Sequence, residues 1–444
     1  MAELISKFGD ALYYSFTNPE PSKIAAATMA IVIGLVLLGV ALYAISKTVI
    51  TKSSKDPRVA SYNIKLATAN RISYLDNVGV KSQGFANYSG DLSLFGNLIN
   101  RLADSEKYLV NLCPLTASIG GYIGPLEGVF NPQYYLRAAL RAGVRSFVLP
   151  ISIYYDDNKQ PPDWPEARKP AIVCRNSNGT ILSLNGMTIK SFCETLLTYK
   201  SINASQANEP ILVILDGVEN HIPDLANQEK DYVQFTSDIA KELKPLDPYR
   251  LTTLDTYGSA VGGKKQSEIL YQIPLTQLQN KILIFTNFDV DVGNKDFYQN
   301  ISPKLYDYVN FVYTPVTAAT VGTAVSSGAR SIHIGDVKGS KVNWTDQART
   351  VWHMTTQDHV TSLPDAQLVS YVTNVGIQCI PIPIFFNDDK SIDTIYKAWG
   401  GYAWKVKSQA ARFTKPAPIV PQAPSTALNA RVDPTLQPGQ TSIK

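Results

Sequence analysis

The chain has 444 residues, 45% of them hydrophobic and 18% charged, which is the composition of a folded protein with a sizeable core rather than of a disordered one. A net charge of +4, with no run of clustered Lys and Arg interleaved with aromatics, excludes a nucleic-acid surface. The four cysteines, Cys113, Cys174, Cys193 and Cys379, show neither C-x-x-C pairs nor zinc spacing, so they read as unpaired core thiols of a reducing compartment and no metal site is expected.

Residues 1–23 place Leu4, Ile5, Phe8, Leu12 and Phe16 at helical spacing before Asn18-Pro19 ends the pattern, giving an amphipathic segment suited to a membrane surface or a partner. Residues 24–46 follow as a transmembrane helix. From Ile24 through Gly34 and Leu38 to Ile45 the chain carries no charge, and its 22 positions at about 1.5 Å each cover a bilayer core. Lys23 and Lys47 bracket it, the run exceeds a signal peptide, and no A-x-A site follows. Lys47, Lys52, Lys55 and Arg58 outnumber Lys7 and Lys23, which favours a cytoplasmic C-terminal region in a single-pass topology.

Residues 47–104 read as a linker and leading helix, and the main body spans 105–407. Arg145 to Ile153, Ala171 to Cys174, Ile211 to Leu215, Ile282 to Phe285 and Val309 to Tyr313 read as buried strands. Helical patterns at Pro132 to Ala142, Asn185 to Tyr199 and Glu229 to Leu243 lie between them. Nearly continuous apolar strands alternating with helices imply an α/β fold with a parallel sheet, either doubly wound or a TIM-like (β/α) barrel. Residues 408–444 hold six prolines and few large apolar side chains, so they form an extended Pro-rich tail suited to a partner surface.

An ordered set of phrases resembles the phosphatidylinositol-specific phospholipase C family. YYLRAALRAGVRSFVL (134–149) is similar to its second barrel strand and preceding helix, and NGMTIKSFCETLLTYKSI (185–202) to its Leu-Thr-x-Lys helix. EPILVILDGVENH (209–221) resembles its Ile-Glu-Asn-His strand, and LQNKILIFTN (278–287) the strand closing its X region. GIQCIPIPIFFNDD (376–389) and GGYAWKVK (400–407) resemble Y-region phrases, so the likeness covers most of 105–407 and implies a TIM-like barrel.

That family cleaves a phosphodiester with two histidines and with carboxylates that hold calcium or assist the base. The resemblance puts the first histidine in the stretch around Ile119, the Glu and Asp of Val-Glu-Leu-Asp on Val148 and Pro150, and the second histidine on Arg175. The next glutamate falls on Asp216, and the phosphate-binding lysines on Phe285 and Asn287. Ile cannot act as a base, and Val and Pro cannot hold calcium, so the expectation is a catalytically dead barrel with no catalytic residue, cofactor or metal. His221, His333, His353 and His359 lie elsewhere, and NFDVDVGNKD (287–296) lacks the glycine and final acid of an EF-hand loop.

The expected function is therefore a non-enzymatic, membrane-anchored structural protein that joins the lipid bilayer to a protein assembly through the N-terminal segment and the tail. The resemblance extends in that form to minor capsid proteins in the virions of large icosahedral DNA viruses, where they link an inner membrane to the shell. The alternatives are a module in which Arg175 grips a phosphate or lipid headgroup, and a phosphodiesterase or glycosidase relocated to Asp216 and Glu219. An ion pair between Arg175 and Asp216 is the simpler expectation for those two residues.

Overall fold

The computed structural model describes residues 34–43, a few positions before them, and most of 100–416. The main segments outside the described residues are 44–99, 154–168, 252–272, 357–369, 383–397 and 417–444. Most of the N-terminal amphipathic segment, the linker, Ile24, Ile45 and the distal tail thus lie outside the described residues. Gly34 and Leu38 belong to a helical stretch, 34–43, in which Leu35, Val36, Leu37, Leu38, Val40 and Leu42 are all exposed. No described helix is long and apolar enough to cross a membrane.

In chain order the body begins with β1 (Leu112–Pro114), β2 (Thr116–Ser118), and the short pair β3 (Tyr122–Ile123) and β4 (Val129–Phe130). It continues through α1 (Pro132–Arg141), β5 (Ser146–Ile153), β6 (Pro170–Ile172), α2 (Ile189–Ile202), β7 (Ile211–Gly217) and α3 (Glu229–Leu243). Then come β8 (Ile282–Thr286), β9 (Phe311–Val316), β10 (Gly328–His333), α4 (Ile334–Gly339), α5 (Trp344–Gln347), β11 (Val351–Thr356) and β12 (Trp404–Val406).

Local chemistry accounts for these elements. The runs in β5, β7 and β8 are nearly continuous in Val, Ile and Leu because both faces are covered. Helix α3 carries Glu229 and Asp231 in its first turn and Lys241 in its last, complementing the helix dipole, and buries Tyr232, Val233, Phe235, Ile239 and Leu243. Helix α2 starts at Ile189 rather than 185 because Thr188 Oγ accepts the Ser191 N–H at 3.0 Å, an N-cap.

The sheet order is β2-β5-β7-β8-β9-β10-β11, with each of these neighbours parallel. Residues 378–382 close it: Thr355 N–H donates to Cys379 O at 2.9 Å on one side, and Ser118 N–H to Ile382 O at 3.0 Å on the other. Seven strands and this bridging segment therefore form a closed parallel barrel with helices outside. Side-chain alternation divides the core in two. Phe147, Leu149, Val213, Leu215, Ile282 and Ile284 face the helices. Val148, Leu212, Ile214, Leu283, Phe285, Phe311, Tyr313, Trp352, Met354 and Cys379 fill the interior.

The strand expected at 171–174 is corrected: β6 pairs antiparallel with the end of β5, Ile151 opposite Ile172, and is no stave of the barrel. At the strands' N-terminal end, β1 pairs antiparallel with β12, Leu112 opposite Val406, and Trp404, Leu109 and Leu112 plug the interior. Nearby, buried Arg145 pairs with Glu209 at 2.5 Å and donates to Leu140 O and Val144 O, and Lys200 Nζ caps Glu209 O at 3.0 Å.

Candidate functional site

Active sites of such barrels sit at the C-terminal ends of the strands. The positions singled out by sequence converge there. Ile119 follows β2, buried, with φ +54°, a strained value for a β-branched residue, and its N–H donates to Val148 O at 2.8 Å. Val148 points into the filled interior, and Pro150 lies opposite Asp216 in the ladder. No base and no cation ligand is formed by these three.

Phe285 is fully buried, its ring centroid 5.0 Å from that of Phe311 and 5.8 Å from that of Trp352. Hydrophobic rings thus fill the barrel interior at the level of Phe285. Asn287 is a brace: its Oδ1 accepts the Gly217 N–H at 2.6 Å and its Nδ2 donates to Gly217 O at 3.0 Å, tying the ends of β7 and β8. Gly217 is required by space, because a Cβ there would stand 2.5 Å from the Phe288 ring.

Asp216 carries the carboxylate that remains. Tyr313 Oη donates to its Oδ1 at 2.6 Å. Burial pushes the Asp216 carboxyl up to about 6, against the Tyr313 hydrogen bond, which lowers it. The Tyr313 hydroxyl is driven well above its ordinary range by burial and by the neighbouring carboxylate, so it stays a donor. The expected Arg175–Asp216 ion pair is not formed: Arg175 Nε donates to Ser152 Oγ at 3.3 Å, and among the described residues Asp216 has no basic partner. Tyr313 was missed by sequence reasoning, since an aromatic in an apolar strand reads as core.

The remaining titratable groups do not assemble a second centre among the described residues. His353 is buried on the outer side of β11 against Trp344, and burial, Lys407 and Arg330 hold it well below the usual imidazole range, hence neutral. His333 is exposed and accepts the Gly335 N–H on Nδ1 at 3.2 Å. His221, His359 and Glu219 lie outside the described residues. In 287–296, Asp289 Oδ1 accepts the Asp291 N–H at 3.1 Å, a side-chain turn. No group of acidic, histidine or cysteine side chains suited to a metal occurs among the described residues.

Beside Tyr313 and Asn287 opens a cleft of about 750 Å³, bordered by Glu229, Phe288, Asp289, Asp291 and Lys295. Lys295 is committed to Glu229 at 2.9 Å. Beyond that pair, the described residues lining the cleft offer no cation.

No protein-family model and no curated protein matches the chain. Among solved structures, the chain is similar to S. officinalis PLC21, at 14% identity and a TM-score of 0.43 over 70% of this chain and 38% of that one. It is likewise similar to L. pealei PLC21, at 12% identity and a TM-score of 0.43, again spanning 38% of that chain. A calcium-dependent phosphoinositol-specific phospholipase C from a Gram-negative Pseudomonas sp. is similar at 14% identity and a TM-score of 0.41, over 68% of this chain and 96% of that one.

Proposed function

We propose that this chain is a non-catalytic scaffold, tethered to a bilayer by residues 24–46 and holding protein partners through its N-terminal segment and Pro-rich tail. The observation that carries the reading is the packing of the barrel mouth. Phe285, Phe311 and Trp352 fill the interior, and the Asp216 carboxylate is engaged by the Tyr313 hydroxyl and has no basic partner beside it among the described residues. General acid and base work needs two groups poised on one substrate, and a phosphodiester needs cations as well. The exposed apolar helix at 34–43 supports the tether, since a solvent-exposed surface of Leu and Val at successive positions is stable only when covered.

A headgroup-binding module is less well supported, because Lys295, the one cation among the described residues lining the cleft, is held by Glu229, and Asp289 stands exposed beside it. In its finer form the scaffold reading is that of a minor capsid protein joining an inner membrane to a virion shell. Purification in gentle detergent tests it. The expected result is a protein complex of fixed stoichiometry that floats with vesicles after a carbonate wash; recovery as a free, non-floating monomer refutes it.

A further inference from the structure

The two ends of the barrel body meet and are fastened together. Residues 104–111 enter the body and 408–416 leave it, and the two run past each other with antiparallel sense. Lys415 N–H donates to Ser105 O at 2.8 Å, and Arg412 Nη1 reaches Glu106 Oε2 at 3.1 Å. The Tyr108 and Phe413 rings meet edge to face at 5.4 Å. Asn111, fully buried, accepts the Phe413 N–H on Oδ1 at 2.7 Å and donates from Nδ2 to Phe413 O and Glu106 O, each at 2.8 Å. Lys407 N–H then donates to Asn111 O at 3.0 Å, and the β1/β12 ribbon continues inward from there.

The body thus continues past 407, through residue 415. Ala411 packs over Gly376, which has a φ of +80° and where an added Cβ would stand 2.9 Å from the Ala411 Cβ, so no side chain fits. Arg349 Nε holds Ala410 O at 2.9 Å.

We propose that this fastening is a clasp released by force, placed between the membrane tether and the tail. The inference rests on the scaffold reading for its purpose. Tension between the segment before residue 104 and the segment after residue 416 meets the clasp before any stave of the barrel. Because the contacts lie in series from 105/415 inward to 111/407, pulling the two ends apart breaks them one at a time. The closed barrel, whose strands are joined on both sides, must instead yield cooperatively. The seventeen residues of 104–111 and 408–416 would supply roughly 60 Å of slack at about 3.5 Å each before the barrel is strained. A bilayer joined to a rigid partner can then move relative to it without unfolding the link.

The test is optical-trap pulling on the full chain in detergent, with handles at its two ends. The clasp predicts an early, reversible extension step of roughly 60 Å, ahead of one cooperative barrel rupture. Asn111→Ala lowers the force of the early step and leaves the rupture force unchanged; Arg412→Ala, at a half-buried position, is the second variant should Asn111→Ala fold poorly. A single rupture without an early step, or an early step indifferent to both variants, overturns the clasp. Failure of the protein to float with vesicles overturns the scaffold reading and leaves the early step as it was, so the two are distinguishable.

Discussion

Replacing Asp216 by Asn should stabilise the protein at neutral pH. The folded-state carboxyl titrates near 6, against 3.8 for the free side chain, because burial penalises its charge more than the Tyr313 hydrogen bond compensates. The folded state therefore binds the proton more tightly than the unfolded state, and the Asp216 contribution to stability falls as pH rises from about 4 to about 6. Two units at about 1.4 kcal/mol each give ~3 kcal/mol of destabilisation at pH 7 relative to the neutral form. Asn is nearly isosteric, carries no charge, and still offers an oxygen to the Tyr313 hydroxyl. Urea unfolding of the detergent-solubilised chain, followed by tryptophan fluorescence, should find Asp216→Asn more stable by about 2–3 kcal/mol at pH 7 and equal to the parent near pH 4. Taking the difference between the two proteins removes carboxylates such as Asp238, whose pKa is lowered and whose contribution has the opposite sign. A variant less stable than the parent at pH 7, or a difference that does not change with pH, would refute the account of Asp216 as a half-buried acid whose charge the Tyr313 hydrogen bond only partly compensates.

Phe311→Ala should open a cavity beside Phe285 and cost about 3–5 kcal/mol in the same assay, whereas a mouth that was open and hydrated would tolerate it at little cost. Gly376→Ala should cost about 1–3 kcal/mol, through its left-handed backbone and the Ala411 contact, and should raise hydrogen exchange at Phe413 and Lys415. Glu209→Gln strands the buried Arg145 cation and should cost about 3–5 kcal/mol; a cost below 1 kcal/mol would show that water reaches the pair.

Physical differences among the strands decided what could be read from the sequence. Strands β5, β7 and β8 announce themselves as apolar runs, and α3 by its dipole charges and apolar stripe, so these elements stand where the pattern put them. Strands β2, β10 and β11 carry Thr116, Ser118, Arg330, Ser331, His353 and Thr355, all buried, and a buried polar residue in a strand looks like loop until its neighbours are known. The closing segment at 378–382 lies in a phrase, 376–389, that the sequence offered only through its likeness to a Y region; its place in the barrel rests on isolated bridges to β2 and β11, which no local pattern records. At the mouth, Asp216, Phe285 and Asn287 could be named in advance, but their partners could not. The contact of Tyr313 with Asp216 spans 97 positions, and Asn287 works through the backbone of Gly217, which no side-chain pattern records. The body's continuation past 407 leaves one mark in the sequence, the lone aromatic Phe413 in an otherwise polar stretch just ahead of the prolines.

The central claim, that the barrel holds rather than cleaves, is tested most directly by reconstituting the full chain into vesicles containing phosphatidylinositol, with calcium, and measuring release of soluble inositol phosphate. The account predicts vesicle-bound protein and no release above that of empty vesicles, in the parent and in Asp216→Asn alike. Turnover by the parent that Asp216→Asn abolishes would contradict it.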